Sequence, residues 1–287
     1  MQANPNFSGQ PAKFWALVRT LSEEIGYTVR RKKNEPAGAG RIKSHTLGEM
    51  ANALRSLHLD PLLVEDGDGN ATPLGQLLID YFEYRAKTIE VDVQRYLMNK
   101  DEAKSIFEKT YRKLKPKCPI PMNKQKGEKR EPAYLTALVN MIVESKIGKL
   151  HCDFDPRQLT TFTKNGEPLQ TLARRVDGAF PSPVNPIAVW EVKEYYFTTT
   201  FGSRVADGVY ETLLDGLELR QLKESHDVSV EHLLFVDSHY TWWECGKSYL
   251  CRMVDMINMG LVTEVIFGKE VLERLPMIAE RWASRFR

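Results

Sequence analysis

The sequence predicts an α/β (α+β) fold in which a mixed central sheet is flanked by helices and preceded by a mostly helical region. Three observations carry this. Apolar residues recur at helical spacing through the first 115 positions. Downstream of about residue 128, short runs of β-branched and aromatic residues alternate with amphipathic stretches. Between them lies Lys115-Pro-Lys-Cys-Pro-Ile-Pro-Met-Asn-Lys-Gln-Lys-Gly127, whose prolines, glycine and lysines suit neither helix nor strand. The expected division is a helical region over 1–115 and an α/β domain over 128–287. At 287 residues and 42% hydrophobic content the chain has enough apolar material for a full core.

In the first region the spacing predicts helices around Phe14–Leu21, Leu47–Leu59 and Leu74–Tyr84. The segment Ser44–Leu59 opens with capping residues; it reads either as one helix of a helix-turn-helix unit or as an ordinary amphipathic helix. Downstream, Glu131–Ile147 begins with an acid and a proline and stops at Gly148, which predicts a helix. Gln158–Thr163 and Gln170–Phe180 read as a strand pair about a Lys164-Asn-Gly166 turn. Pro186 opens the run Ile187-Ala-Val-Trp-Glu-Val-Lys193, rich in residues that favour a central strand. A helix over about Ser203–Lys223, a strand at His232–Asp237, a helix over about Cys245–Met259 and a strand at Val262–Phe267 complete the pattern. No internal repeat is visible.

Composition excludes several classes. The longest apolar stretches, Ala137–Val143 and Ile187–Trp190, fall short of the ~18 to 20 residues of a membrane span. The N-terminal residues lack the basic and then apolar pattern of a secretory signal, so a cytoplasmic protein with no membrane partner is expected. Four cysteines without a CxxC pair signal neither a disulfide framework nor a thiolate zinc site. His151, Cys152, Asp153 and Asp155 crowd together without a zinc-ligand spacing. No P-loop, dinucleotide fingerprint or GxSxG is present. A net charge of +2 does not define a nucleic-acid binder, but Lys and Arg cluster at Arg30–Lys33, at Arg41 and Lys43, and from Arg112 to Arg130. Each cluster reads as a solvated loop or as a set of phosphate contacts.

The constellation with chemistry in it is Asp177, followed fourteen positions later by Glu191-Val-Lys193. In a strand, residues two apart share a face, so Glu191 and Lys193 project together and Val192 projects away. If the strand ending near Asp177 pairs with the strand through Glu191, the two carboxylates approach closely enough to share a divalent ion. Hard oxygen ligands suit Mg2+, which polarises a phosphoryl group and acidifies a water. Lys193 then stands beside the attacking water, stabilising hydroxide or, with a lowered pKa, taking its proton. The alternative is a solvent-facing acid and base on an edge strand. Two charges at the end of an otherwise apolar strand favour a site, and Gly178 after Asp177 marks a place for close backbone approach.

These residues resemble the PD-(D/E)xK nuclease superfamily and, within it, the type II restriction endonucleases. The resemblance covers roughly Glu131 to Gly268 and rests on element order as much as on the motif; Val176 stands where many members have proline. It implies a restriction-endonuclease-like fold, Asp177 and Glu191 as Mg2+ ligands with Mn2+ able to substitute, and Lys193 beside the nucleophile. The implied activity is sequence-specific cleavage of double-stranded DNA by a homodimer within a restriction-modification system. Members often add an acid from the helix before the first strand. Glu131 lies on the stripe of Tyr134, Leu135, Leu138 and Ile142, whereas Glu144 is rotated about 220° from it, so Glu131 is the candidate; an acid stabilised by the helix dipole explains it equally. Thr198–Arg204 leads into a helix carrying Asp207, Tyr210, Glu211 and Asp215, and Arg204 is the first candidate for backbone phosphate contact, with Arg41 and Lys43. His239–Lys247 offers aromatics and a base for packing on DNA, and also reads as core and rim. Alternatives are a nuclease of this superfamily in repair, transposition or phage defence, or a catalytically inactive DNA-binding module.

Overall fold

Capping side chains at Thr46, Thr72 and Asn99 set three of the helix starts in the first hundred residues. The computed structural model describes residues 1–29, 32–36, 38–125, 128–198 and 202–286, with the backbone alone for 124, 125, 128–130 and 204. Helix α1 spans Ala12–Ile25, and strands β1 (Thr28–Val29) and β2 (Arg41–Ile42) form a small antiparallel ladder. Helix α2 (Leu47–Ser56) starts at Thr46, whose hydroxyl accepts from the Glu49 amide while the Glu49 carboxylate accepts from the Thr46 amide. This reciprocal box satisfies two amides that a helix start otherwise leaves unpaired. In α3 (Pro73–Lys87), Thr72 caps the Gly75 amide and Pro73 occupies the first turn, where its missing N–H costs nothing.

The chain divides into two units: residues 3–95 with 242–259, and residues 1–2 with 96–241 and 260–287. The units part at Arg95–Tyr96, upstream of the expected linker. Helix α4 (Lys100–Leu114), capped by Asn99, buries Ala103 and Phe107 in the core of the second unit. The Pro- and Lys-rich segment leads into a hairpin of β3 (Met122–Gln125) and β4 (Glu128–Pro132).

Helix α5 (Tyr134–Ile147) is buried along most of its length. Strands β5 (Thr161–Lys164) and β6 (Glu167–Thr171) form a separate antiparallel pair. The strand expected over Gln170–Phe180 is therefore two pieces: β6 ends at Thr171, and β7 occupies Gly178–Phe180. Then come β8 (Ala188–Glu194), α6 (Ser203–His226), β9 (Glu231–Asp237), α7 (Lys247–Asn258), β10 (Glu264–Phe267) and α8 (Val271–Ser284). The central sheet runs β10-β9-β8-β7, with β8, β9 and β10 parallel and β7 antiparallel to β8. This is the mixed sheet flanked by helices that the sequence predicts.

Side-chain alternation on β8 separates two cores. Trp190 packs with α5 and α8, stacking on Trp282 at 5.8 Å between ring centroids, whereas Val189 packs with Leu219 and Leu222 of α6. Glu191 and Lys193 share the face of Val189 and so look toward α6. Helix α7 belongs to the first unit, where Asp255 is buried against Arg85 at 3.1 Å and against the Tyr81 hydroxyl at 2.5 Å. Within His239–Lys247, Trp242 and Trp243 are buried in the core, whereas Tyr240 is exposed. No helix among the described residues is long and apolar enough to cross a membrane.

Candidate active site

Asp177 stands one residue before β7, and the ladder reaches back to it. Its amide donates to the Trp190 carbonyl at 3.0 Å, and its Oδ2 accepts from the Val192 amide at 2.8 Å. The acid is thus held by backbone on both sides of Glu191, and the expected pairing of its strand with β8 is present. Gly178 makes this pairing close: a Cβ there would fall 2.1 Å from the Trp190 ring. The close approach at Gly178 is to the Trp190 ring.

Glu191 is fully buried and Lys193 nearly so. Lys193 Nζ lies 2.7 Å from Glu191 Oε2 and 2.9 Å from Glu211 Oε2 on α6. Gly208, one turn before Glu211, gives the lysine room, because a Cβ there would sit 3.1 Å from Lys193 Cδ. Arg174 completes the arrangement, with Nη1 2.9 Å from Glu191 Oε1 and Nη2 3.4 Å from Glu211 Oε2. Two cations and two acids therefore form a closed ring of alternating sign: Arg174, Glu191, Lys193, Glu211. Behind it, the fully buried Asp215 accepts from Arg174 Nη1 at 2.6 Å.

Four carboxylates, Asp177, Glu191, Glu211 and Asp215, thus meet two cations. Burial and then the Glu191 charge push Asp177 up to about 6 and Asp215 up to about 7. Burial opposes ionisation of Glu191 as well, but Lys193 and Arg174 overcome it and hold its carboxyl below the usual range. Desolvation alone would lower Lys193; the charges of Glu191 and Asp177 reverse that and keep the amine protonated. The role of Lys193 as a proton acceptor needed a lowered pKa, so this arrangement leaves it the cationic role.

Residues 98–282 match a family described as a domain of unknown function, DUF7687, and residues 1–91 match a second domain of unknown function, DUF7690. The chain belongs to the DUF7687 family. No curated protein and no solved structure matches it.

The DUF7687 segment contains the whole ring, with Asp177 and Asp215. The remaining candidates lie elsewhere. Glu131 is in β4, not in α5; it pairs with Lys100 at 3.1 Å and accepts from the Tyr134 hydroxyl. Its extended backbone has a local cause, since a residue preceding proline is driven out of the helical region by the ring. Glu144 accepts from the Lys117 amide at 2.9 Å. The structure therefore brings Asp177, Glu191 and Lys193 together and ties Glu131 and Glu144 to other partners. Arg41 is exposed on β2, and Lys43 is paired with Glu49 at 2.8 Å, both in the DUF7690 segment. The Arg204 side chain, with Arg30 and Arg31, lies outside the described residues.

Arg174, Glu211 and Asp215 were not assigned to the site from sequence. One signal was present: Glu211 and Asp215, four apart, share a face of α6. Nothing comparable marks Arg174 among the consecutive residues Ala173-Arg-Arg-Val176.

As for a divalent ion, no group of three or more His, Cys, Asp or Glu side chains converges with metal-holding geometry among the described residues. The donor chemistry nonetheless fits one. Acids outnumber bases in the cluster, and although Glu191 Oε1 already faces the Arg174 cation at 2.9 Å, Asp215 Oδ1 is buried without a hydrogen-bond partner. Such oxygens are costly unless a cation or donor reaches them.

Proposed function

We propose that the DUF7687 segment is a Mg2+-dependent endonuclease that hydrolyses phosphodiester bonds of double-stranded DNA, most similar in its site to the type II restriction endonucleases. The observation that carries this reading is the backbone-pinned Asp177 beside the buried Glu191–Lys193 pair, with more acids than bases around it. Asp177 and Glu191 are the residues to hold the ion, and Mn2+ suits the same oxygens. When bound, the ion supplies an acidified water and neutralises charge on the leaving oxygen. Lys193, protonated and buried, stabilises negative charge on the attacking oxygen and on the phosphoryl group. Asp177 is oriented by the Val192 amide, so its free oxygen stays aimed without side-chain reorganisation. Arg174 offsets Glu191 until a stronger cation takes its place.

In this reading the protein is cytoplasmic and acts as a homodimer on the two strands of a symmetric site. Arg41, Lys43 and Arg204 are proposed backbone contacts. A repair, transposition or phage-defence nuclease of the same superfamily shares this chemistry. A second reading, a metal-independent DNA-binding module, is supported by the ring itself, because Arg174 and Lys193 already pair Glu191.

Digestion of long methylated and unmethylated DNA, in Mg2+, Mn2+ and EDTA, with Lys193→Ala in parallel, tests the proposal. Discrete fragments that need both metal and Lys193 support it, and a smear indicates a nonspecific nuclease. No cleavage under any condition, with binding that ignores metal and Lys193, moves the conclusion to the binding module.

A further inference from the structure

The guanidinium of Arg174 has more ionic contacts than a structural tie requires. It reaches three acids on two elements, Glu191 on β8 and Glu211 and Asp215 on α6. The contacts differ in kind. Asp215 is fully buried and holds Nη1 at 2.6 Å from behind, whereas Nη2 donates to Glu191 Oε2 at 3.1 Å and meets the half-buried Glu211 only at 3.4 Å, too long for a firm hydrogen bond. Arg174 itself keeps about a quarter of its side chain accessible, 23%. One edge of the fork is therefore anchored by Asp215, while the other is held by Glu191 next to the partly accessible Glu211.

Any cation that takes Glu191 removes the main partner of that outward edge. Asp215 still fixes Nη1, so the guanidinium stays in place with N–H donors released beside the Glu191–Lys193 pair. A planar fork with parallel donors matches two oxygens of a phosphodiester better than a lysine does. We propose that Arg174 is a phosphate-binding residue for the DNA backbone at this site, with Asp215 as its positioning residue; this rests on the nuclease reading. Glu211, the most accessible member of the ring, occupies the phosphate's place until DNA displaces it.

The test is binding of a short duplex across a range of salt, by fluorescence anisotropy, with Ca2+ in place of Mg2+ to block cleavage. Wild-type protein, Arg174→Ala, Arg174→Lys and the double variant Arg174→Met with Asp215→Asn are compared, with thermal melts of each. The double variant removes the buried acid together with its cation and so keeps a folded comparison if Arg174→Ala melts early. Loss of one phosphate contact lowers affinity about tenfold or more and reduces the salt slope by about one in Arg174→Ala and the double variant. Arg174→Lys keeps most of the slope with weaker binding, because it retains charge without the fork. A wild-type salt slope in the folded variants overturns the inference and leaves Arg174 a structural ion pair, with the nuclease reading intact. Wild-type protein that binds no DNA sinks the nuclease reading, and this inference with it.

Discussion

Lys193 Nζ bridges Glu191 Oε2 at 2.7 Å and Glu211 Oε2 at 2.9 Å, joining the central strand β8 to helix α6. Replacing Lys193 with alanine leaves Glu191 with Arg174 alone and removes the cation placed for the attacking oxygen. Single-turnover cleavage is expected to fall by about 10²-fold or more, the scale of losing one preorganised charge from a reacting centre. Duplex binding should change far less. A cleavage rate within a few fold of wild type would remove Lys193 from the chemistry.

Asp177 gives a prediction of opposite signs for stability and activity. Burial and the Glu191 charge disfavour its ionised form, so Asp177→Asn relieves repulsion while its side-chain oxygen still accepts from the Val192 amide. Without divalent ions, at neutral pH, the variant should gain about 1 kcal/mol, seen as a melting point a few degrees higher. The same variant should not cleave. A lower melting point would mean that the carboxylate is stabilised in the folded chain and that the acid excess is only apparent.

The proposed ion should also register as stability. A ligand that binds only the folded state at a hundred times its Kd adds about 2.7 kcal/mol. Mg2+ or Mn2+ is expected to raise the melting point of the wild-type protein, EDTA to reverse this, and Asp177→Asn or Glu191→Gln to abolish it. An equal rise in wild type and variants would place the binding elsewhere.

What the sequence showed, and what it hid, follows from the range of the interactions. β8 was legible because Ile187–Trp190 is apolar and two charges then break the run at a spacing of two. Asp177 was legible because it precedes a glycine next to that strand. That a mixed sheet is flanked by helices followed from the alternation of strands and helices; the strand order did not. Arg174, Glu211 and Asp215 meet only through the packing of α6 on β8, which no local pattern encodes. Glu131 was misplaced because its acid and the following proline read as a helix first turn three residues upstream of the true start at Tyr134, where Pro132 instead keeps the preceding residue extended. The grouping of α7 with the first 95 residues depends on contacts such as Arg85–Asp255, 170 positions apart.

His45 makes the first unit acid-sensitive. Its ring is buried 4.2 Å from that of Phe82, both ring nitrogens lack hydrogen-bond partners, and burial with the Arg85 and Lys43 charges lowers its pKa to about 3. The unfolded chain takes up a proton near pH 6.5 that the folded chain refuses. Between those values the unfolded state binds more protons, so stability falls as pH drops, by at most about 1.4 kcal/mol for each pH unit. Denaturant midpoints at pH 7.5, 6 and 5 should show this slope, and His45→Leu should flatten it. An unchanged slope in that variant would assign the acid sensitivity to other groups.

Gly178 couples the core to the site. A methyl group there would lie 2.1 Å from Cε2 and Cζ2 of Trp190, whose ring is held by Trp282 and cannot yield without opening the α5–α8 core. Gly178→Ala is therefore expected to part β7 from β8, at about 1 to 3 kcal/mol for overpacking. Because the Asp177 amide donates to the Trp190 carbonyl in that ladder, the carboxylate moves with it, and cleavage should fall together with stability. Trp190→Phe in the Gly178→Ala background removes part of the clash. If the added space returns both melting point and cleavage, the strand pairing is what positions Asp177; recovery of stability without cleavage would show that the acid is set by something other than the β7–β8 ladder.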